Sequence, residues 1–204
     1  MTKFRLAIIA AAFTLLIGTA VFSWYTSLHP TQNGTVSQVD SSSGPGGPFA
    51  LVDQDGKPVT EAMLKGKWSA VFFGYTYCPD VCPVTLQSLA ATQKLLGNKA
   101  KDMQIVFITV DPARDTPANL KAYLASNGFP SGVIGLTGTQ AQIDKVTGAY
   151  YVPVQKVGTG DSVSFNHGAV IYLVGPDGRV KEFMSKDMAP DVNAEIIRKD
   201  MRGA

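Results

Sequence analysis

Two continuous apolar runs, separated by a helix-length segment, constrain the fold of this chain more than any other feature. Residues 68–75 read WSAVFFGY and residues 103–110 read MQIVFITV, without the polar alternation of a half-exposed strand. Strands that are buried on both faces have this pattern, and they occur in parallel sheets covered by helices on each side. The two runs therefore predict an α/β domain built on a central sheet.

The segments around these runs complete a mixed sheet. The stretch FALVDQDGKPVT (49–60) alternates around an Asp-Gly turn and predicts a hairpin, and HGAVIYLVGPDGRVKEFM (167–184) predicts a second one. Helices are predicted from Pro83 to about Leu96, over 139–150 and over 190–202. Another helix is predicted to begin at Pro117, with Thr116 as its N-cap. This order, with two cysteines directly after the first buried strand, is typical of the thioredoxin-like fold.

Composition and local bias divide the 204 residues into three parts. Residues 49–204 are expected to form the folded domain, since 45% of the chain is hydrophobic and only 17% is charged. Residues 29–48 are rich in Ser, Gly and Pro and are predicted to be a flexible linker. A net charge of +2 without a basic stripe gives no reason to expect a nucleic-acid partner.

The N-terminal 28 residues are predicted to be a membrane anchor. Lys3 and Arg5 precede a mostly apolar run over 6–25, which is about the length of a helix that spans a bilayer. The positive charges place the N-terminal side in the cytoplasm. A cleaved signal peptide is the alternative, although the run is long for one and no clean A-x-A cleavage site follows it. Either interpretation exports the rest of the chain.

The only two cysteines, Cys78 and Cys82, lie in YTYCPDVCPVTL with three residues between them and a proline after each. Because proline disfavours helical geometry in the residue before it, Cys82 is predicted to be the N-cap of a helix that begins at Pro83. The positive end of the helix dipole would then favour its thiolate. Cys78 is expected in the preceding loop, where its sulfur could close a disulfide with Cys82 or leave room for an ion.

Three segments are expected to converge at the carboxyl ends of the parallel strands, where ligands gather in such sheets. They carry Cys78 with Cys82, Asp111, and His167; the other histidine, His29, falls in the linker. A Cys/Cys/His set is soft and suits copper or zinc, but a structural zinc site would need a fourth ligand. Asp111 is predicted to support the site from outside the ligand set.

The segment TVDPARDTP (109–117) contains further polar residues with expected structural roles. Asp115 and Thr116 are interpreted as helix-capping residues, and Arg114 as a partner for a nearby carboxylate.

Taken together, GYTYCPDVCPVTL, ITVDPARDTP and NHGAVIYLVGPDGRV resemble the Sco family (SCO/SenC, synthesis of cytochrome c oxidase). The resemblance implies copper, as Cu(I), Cu(II) or both, held by Cys78, Cys82 and His167, with Asp111 in support. It also implies a role in assembling the Cu-A centre of cytochrome c oxidase subunit II, with copper received from an upstream donor. One departure is visible: the family usually has D-H-S around the histidine, where this chain has Asn166 and Gly168.

Two functions of different classes follow from these observations. A metallochaperone would bind and deliver copper without turnover, and His167 favours this function because disulfide exchange needs no imidazole ligand. A thiol–disulfide oxidoreductase would reduce the Cu-A cysteines of the oxidase subunit, and the fold and the predicted cap position of Cys82 favour it. The expected location is the bacterial inner membrane, with a single anchor and the folded domain in the periplasm.

Overall fold

The computed structural model describes residues 44–126 and 128–203. The predicted anchor (1–28) and the linker as far as residue 43 lie outside this part of the chain. Within the described ranges, no helix combines the length and the apolar character needed to cross a bilayer.

Seven strands of the described chain form the main sheet: β1 Ala50–Asp53, β2 Pro58–Thr60, β3 Trp68–Gly74, β4 Met103–Thr109, β5 Ile134–Thr137, β8 Val170–Val174 and β9 Val180–Ser185. Their order in the sheet is β2-β1-β5-β4-β3-β8-β9. Parallel pairing joins β3 to β4 and β4 to β5, and antiparallel pairing adds β1 and β2 at one side and β8 and β9 at the other. The predicted mixed sheet is confirmed.

In the described part of the chain, four α-helices and three short 3-10 helices lie between or after the strands. The α-helices are α1 Val81–Leu96, α2 Pro117–Leu124, α3 Gln140–Ala149 and α4 Pro190–Asp200; the 3-10 helices are Glu61–Leu64, Gly97–Asp102 and Gly160–Ser162. Thr116 caps α2 as predicted, with its side chain accepting a hydrogen bond from the Asn119 N–H at 3.3 Å. Thr139 caps α3 in a capping box with Gln142.

The central strand β3 explains why the apolar runs are continuous. All seven of its residues are buried, because successive side chains alternate between two hydrophobic clusters on opposite faces of the sheet. Ala70 and Phe72 pack with α1 and α4, whereas Val71 and Phe73 pack with the cluster that contains Tyr150 of the α3 end. The strand is therefore held on both sides, and its C-terminal end is a rigid base for the loop that follows.

A second sheet, of two strands, was not anticipated from the sequence. It consists of β6 Val154–Val157 and β7 Ser164–His167, and we call it the His hairpin. The sequence had placed His167 directly before the strand now labelled β8, but His167 ends β7, paired with Val154. All four residues of β6 are exposed, so this hairpin lacks the apolar alternation that sequence reasoning relies on.

Candidate metal centre

Two sulfur atoms and one imidazole nitrogen meet beyond the carboxyl ends of the central strands. The ligating atoms of Cys78, Cys82 and His167 all lie within 4.8 Å of one another. Cys82 Sγ is 3.6 Å from His167 Nε2, and both thiols are free. The structure thus brings together the three residues proposed from sequence, while their role as ligands stays a prediction.

Cys78 occupies the loop between β3 and α1, as expected. Its N–H donates to the Tyr75 carbonyl at 3.2 Å, which closes a turn directly after the strand. Its Sγ accepts a hydrogen bond from the Cys82 N–H at 3.4 Å. The side chain is partly exposed, so Cys78 is the sulfur that a partner molecule reaches first.

Cys82 is not the N-cap of its helix, which corrects the sequence prediction. The helix α1 begins at Val81, Asp80 occupies the N-cap position, and Cys82 is the second helical residue. Proline lacks only an N–H that has no intrahelical partner in the first turn, so Pro83 does not force the helix to begin at its own position. Cys82 is consequently wholly buried against the end of β3.

The closest packing at Cys82 is with Gly74, the last residue of β3. A Cβ atom at Gly74 would lie 2.8 Å from Cys82 Sγ and 2.8 Å from Phe107 Cε2. No side chain fits in this gap without moving the sulfur or the aromatic ring. Glycine at position 74 therefore allows Cys82 Sγ to approach the backbone of the sheet.

The thiol acidities are the reverse of the sequence prediction, which favoured a Cys82 thiolate. The hydrogen bond from the Cys82 thiol lowers the pKa of Cys78 to about 5, and the backbone N–H of Cys82 acts in the same direction. Donating that hydrogen bond, together with burial, raises the pKa of Cys82. The partly exposed Cys78 is the thiolate, and Cys82 keeps its proton.

His167 is oriented by aromatic rings and by one carbonyl group. The rings of Phe72 and Tyr75 lie edge-on to the imidazole, with centroid distances of 6.3 Å and 5.8 Å. Nδ1 lies 3.2 Å from the Gly168 carbonyl, so this nitrogen carries the hydrogen and donates it. The lone pair of Nε2 is then directed at Cys82, which makes Nε2 the nitrogen available to a metal ion.

Asp115 has a different role from the one that the sequence suggested, whereas Asp111 is the nearby carboxylate expected for Arg114. Asp111, predicted to face the cysteine loop, forms an ion pair with Arg114, and its part in supporting the site stays a prediction. Asp115, interpreted from sequence as a capping residue, instead accepts hydrogen bonds from the N–H and the hydroxyl of Thr76 and from the Thr109 hydroxyl. The N-cap of α2 is the following residue, Thr116, and this leaves the Asp115 carboxylate free to fasten the cysteine loop.

The site opens into a shallow cavity of about 390 Å³. Cys78 and His167 line it together with residues of the cysteine loop, the start of α1, the His hairpin and the segments that precede β8 and follow β9: Tyr75, Pro79, Asp80, Val81, Phe165, Asn166, Ala169 and Lys186. Two sulfurs and an imidazole form a soft donor set, which suits copper and zinc better than magnesium or calcium. The same two sulfurs are also near enough to close a disulfide after a small movement.

Sequence reasoning missed the aromatic rings around His167 and the Asp115–Thr76 contact. Tyr75 lies in the cysteine segment itself, and its hydroxyl accepts a hydrogen bond from the Phe165 N–H at 3.4 Å. No local pattern indicates such a contact, because its two partners are 90 residues apart. The buried state of Asp115 was equally hidden, since an aspartate before a helix usually caps it.

Comparison with known proteins identifies a family and several relatives that the chain is similar to. The sequence model of the SCO1/SenC family matches residues 38–202. Protein SCO1 homolog 1, mitochondrial, of Arabidopsis thaliana is 40% identical over 159 residues, which are 77% of this chain and 47% of that protein. The chain thus spans about half the length of this relative.

Solved structures agree with this match. The structure of Bradyrhizobium japonicum ScoI with copper bound has 42% identity and a TM-score of 0.70, covering 76% of this chain and 99% of that one. BsSco is described as a member of the Sco family of cytochrome c oxidase assembly proteins with a disulfide switch. It has 29% identity and a TM-score of 0.64, and the match covers 80% of this chain and 94% of BsSco.

Proposed function

The chain belongs to the SCO1/SenC family, and from that premise we propose that it is a copper metallochaperone whose ligands are Cys78, Cys82 and His167. The observation that carries the proposal is the meeting of three soft donor atoms within 4.8 Å of one another. Copper(I) is satisfied by two or three such ligands, and thiolate with imidazole donors also bind copper(II). The similar ScoI of Bradyrhizobium japonicum, with copper bound, supports the choice of metal.

The arrangement of the two thiols is suited to transfer of the ion. Cys78 stands at the cavity with a lowered pKa of about 5, so it is ready to bind an incoming cation. Cys82 must release its proton when copper binds, because a thiolate is the ligand form. Loading therefore releases a proton, and a recipient protein can take the ion from the exposed side at Cys78.

We infer that the recipient is the Cu-A site of cytochrome c oxidase subunit II and that an upstream copper donor loads the protein. Support comes from BsSco, which is described as a member of a family of cytochrome c oxidase assembly proteins. The proposed location is the bacterial inner membrane with the folded domain in the periplasm, on the basis of Lys3, Arg5 and the apolar run 6–25.

Thiol–disulfide exchange is the second candidate, and the acidity of Cys78 favours it. A Cys78 thiolate would attack a target disulfide and release one target thiolate. Cys82 would then attack Cys78, forming the Cys78–Cys82 disulfide, releasing the second target sulfur and giving up its proton to it. The target ends with one thiolate and one thiol, the reduced pair that can accept copper. The disulfide switch described for BsSco supports a reversible pair here.

Copper titration of the reduced full-length protein tests the first proposal. We expect a thiolate-to-copper(II) charge-transfer band that changes in His167→Ala and is lost in Cys82→Ser. A spectrum that His167→Ala leaves unchanged contradicts the three-ligand site.

Complementation of oxidase assembly in cells separates the two functions. His167→Ala should fail if copper delivery is the role, but it should still reduce a target disulfide in vitro. Assembly supported by His167→Ala, and lost with Cys82→Ser, would instead make disulfide reduction the main activity.

A further inference from the structure

The loop between β4 and α2, residues 111–115, contacts both halves of the candidate metal centre. Asp115 binds the cysteine loop, and Arg114 binds the His hairpin. We propose that Arg114 is a positioning residue that holds the His hairpin, and with it His167, against the two thiols. The proposal rests on the proposed copper site for its functional meaning, but its structural part stands on contacts of the protein alone.

On the cysteine side, the loop is fastened by a buried carboxylate. Asp115 is 0% exposed and accepts from the Thr76 N–H at 3.0 Å, from the Thr76 hydroxyl at 2.5 Å and from the Thr109 hydroxyl at 2.5 Å. Thr76 is two residues before Cys78, and Thr109 is the last residue of β4. The loop, the sheet and the cysteine segment therefore form one connected unit.

On the histidine side, Arg114 reaches across to the start of β7. Its Nη2 donates to the Val163 carbonyl at 3.0 Å, and its Nε donates to the Asp111 carboxylate. The guanidinium also lies 4.6 Å from the centre of the Tyr77 ring, in the cysteine loop. A planar guanidinium can make these contacts at once, whereas the point charge of lysine can make only one of them well.

The His hairpin needs such an attachment because it is a two-stranded sheet. Isolated two-stranded hairpins are marginally stable, and this one does not join the main sheet. Among the described residues, the side-chain hydrogen bonds that tie it to the loops after β3 and β4 are Arg114 to Val163 and Phe165 to the Tyr75 hydroxyl at 3.4 Å. Without the Arg114 contact, the longer hydrogen bond and the packing of Phe165 on Tyr75 remain, together with the contacts of His167 with aromatic rings and with Cys82.

The consequence concerns the third donor of the metal centre. His167 ends β7, and β7 begins directly after Val163. A hairpin that opens more often carries Nε2 away from Cys82 for a larger part of the time. Copper affinity then falls in proportion to the fraction of molecules that keep the binding geometry.

Amide hydrogen exchange of the copper-free, full-length protein tests the structural step. Arg114→Gln should speed exchange over 154–168 and leave the cysteine loop and α1 as protected as in the wild type. Arg198→Gln is the matched control, because this half-buried arginine also donates to a carbonyl, that of Leu95, in another part of the fold. It should leave exchange over 154–168 unchanged. Equal protection of the His hairpin in Arg114→Gln and wild type overturns the proposal.

A double-mutant cycle tests whether Arg114 acts through His167. Residues that orient metal ligands typically change affinity by about 10–100-fold, and we expect Arg114→Gln to weaken copper(II) binding by about tenfold. In the His167→Ala background the same substitution should have no further effect, since the ligand it positions is gone. Arg114→Lys should fall between wild type and Arg114→Gln. An equal loss of affinity in both backgrounds shows a general structural effect and overturns the proposal.

The two experiments also separate this proposal from the proposed function. If the wild-type protein binds no copper, the copper function fails, while the exchange experiment still decides whether Arg114 holds the His hairpin. If copper binds and Arg114→Gln changes neither affinity nor exchange, the proposed function stands and the role of Arg114 fails.

Discussion

Replacing Gly74 with alanine should both destabilise the protein and disturb the thiol pair. The added methyl carbon would lie 2.8 Å from Cys82 Sγ and 2.8 Å from Phe107 Cε2, against an optimal separation of about 3.5–4.0 Å between carbon atoms. Cys82 and Phe107 are both 0% exposed, so neither can move into open space. Overpacking of this kind costs about 1–3 kcal/mol, and alanine recovers about 0.5–1 kcal/mol of the conformational cost of glycine in a strand.

Urea denaturation of the full-length protein measures the first effect, and we expect the free energy of unfolding to fall by about 1–2 kcal/mol. Copper titration measures the second. The added methyl group would displace Cys82 Sγ but not Cys78 or His167, which belong to other segments, so the affinity for copper should fall.

Two other glycines provide matched controls. A Cβ added at Gly148, in α3, would meet no atom within 4 Å apart from its chain neighbours and the backbone of its own helix, so Gly148→Ala should stabilise the protein by up to about 1 kcal/mol. Gly135 is in a strand, like Gly74, but its Cβ would meet the flexible end of Leu124, at 2.5 Å from Cδ1. Gly135→Ala should therefore cost less stability than Gly74→Ala and leave copper affinity unchanged. Wild-type stability and affinity in Gly74→Ala would refute the argument.

Three further predictions concern the thiols and the neighbouring elements. At about pH 6, iodoacetamide should modify Cys78 well before Cys82, because the pKa of Cys78 is lowered to about 5 and that of Cys82 is raised. Peptide mass spectrometry measures the labelling of each cysteine, and equal labelling would contradict this. Burial raises the pKa of Asp115 above 3.8, so protonation of its carboxyl group stabilises the folded state at low pH. The free energy of unfolding of wild type, relative to that of Asp115→Asn, should therefore fall as pH rises from 3.8 through the folded-state pKa. Urea titrations that show a constant difference between the two proteins would exclude this. Thr139→Ala should cost about 1 kcal/mol in thermal unfolding by removing the capping box of α3, whereas Gln140→Ala, at the exposed next position, should cost less.

The large elements were predictable because each has a local signal. The two apolar runs gave β3 and β4, the Asp-Gly and Pro-Asp-Gly turns gave both hairpins, and Thr116 with Pro117 gave the start of α2. Element order then placed Cys78 and His167 at one end of the sheet, since parallel strands share that end and β8 runs antiparallel to β3. These inferences need only chain direction and hydrophobic pattern.

The fine structure of the site was not predictable by the same means. The predicted start of α1 was wrong by two residues. Proline fits anywhere in the first turn of a helix, so Pro83 does not mark the first residue of the helix. The predicted order of thiol acidities was also wrong, because burial and the direction of the hydrogen bond between the two thiols outweighed the helix dipole. Both effects depend on distances that composition and spacing do not contain.

The sequence by itself therefore determined which three side chains meet, the central sheet and the end of that sheet beyond which they lie. These follow from residue types, proline and glycine signals, and the period of apolar positions. Only the tertiary structure decided which sulfur is the thiolate, which imidazole nitrogen faces Cys82, and that Asp115 and Arg114 join the cysteine loop to the His hairpin. The Asp115–Thr76 and Arg114–Val163 contacts join residues 39 and 49 positions apart, and no local pattern specifies them.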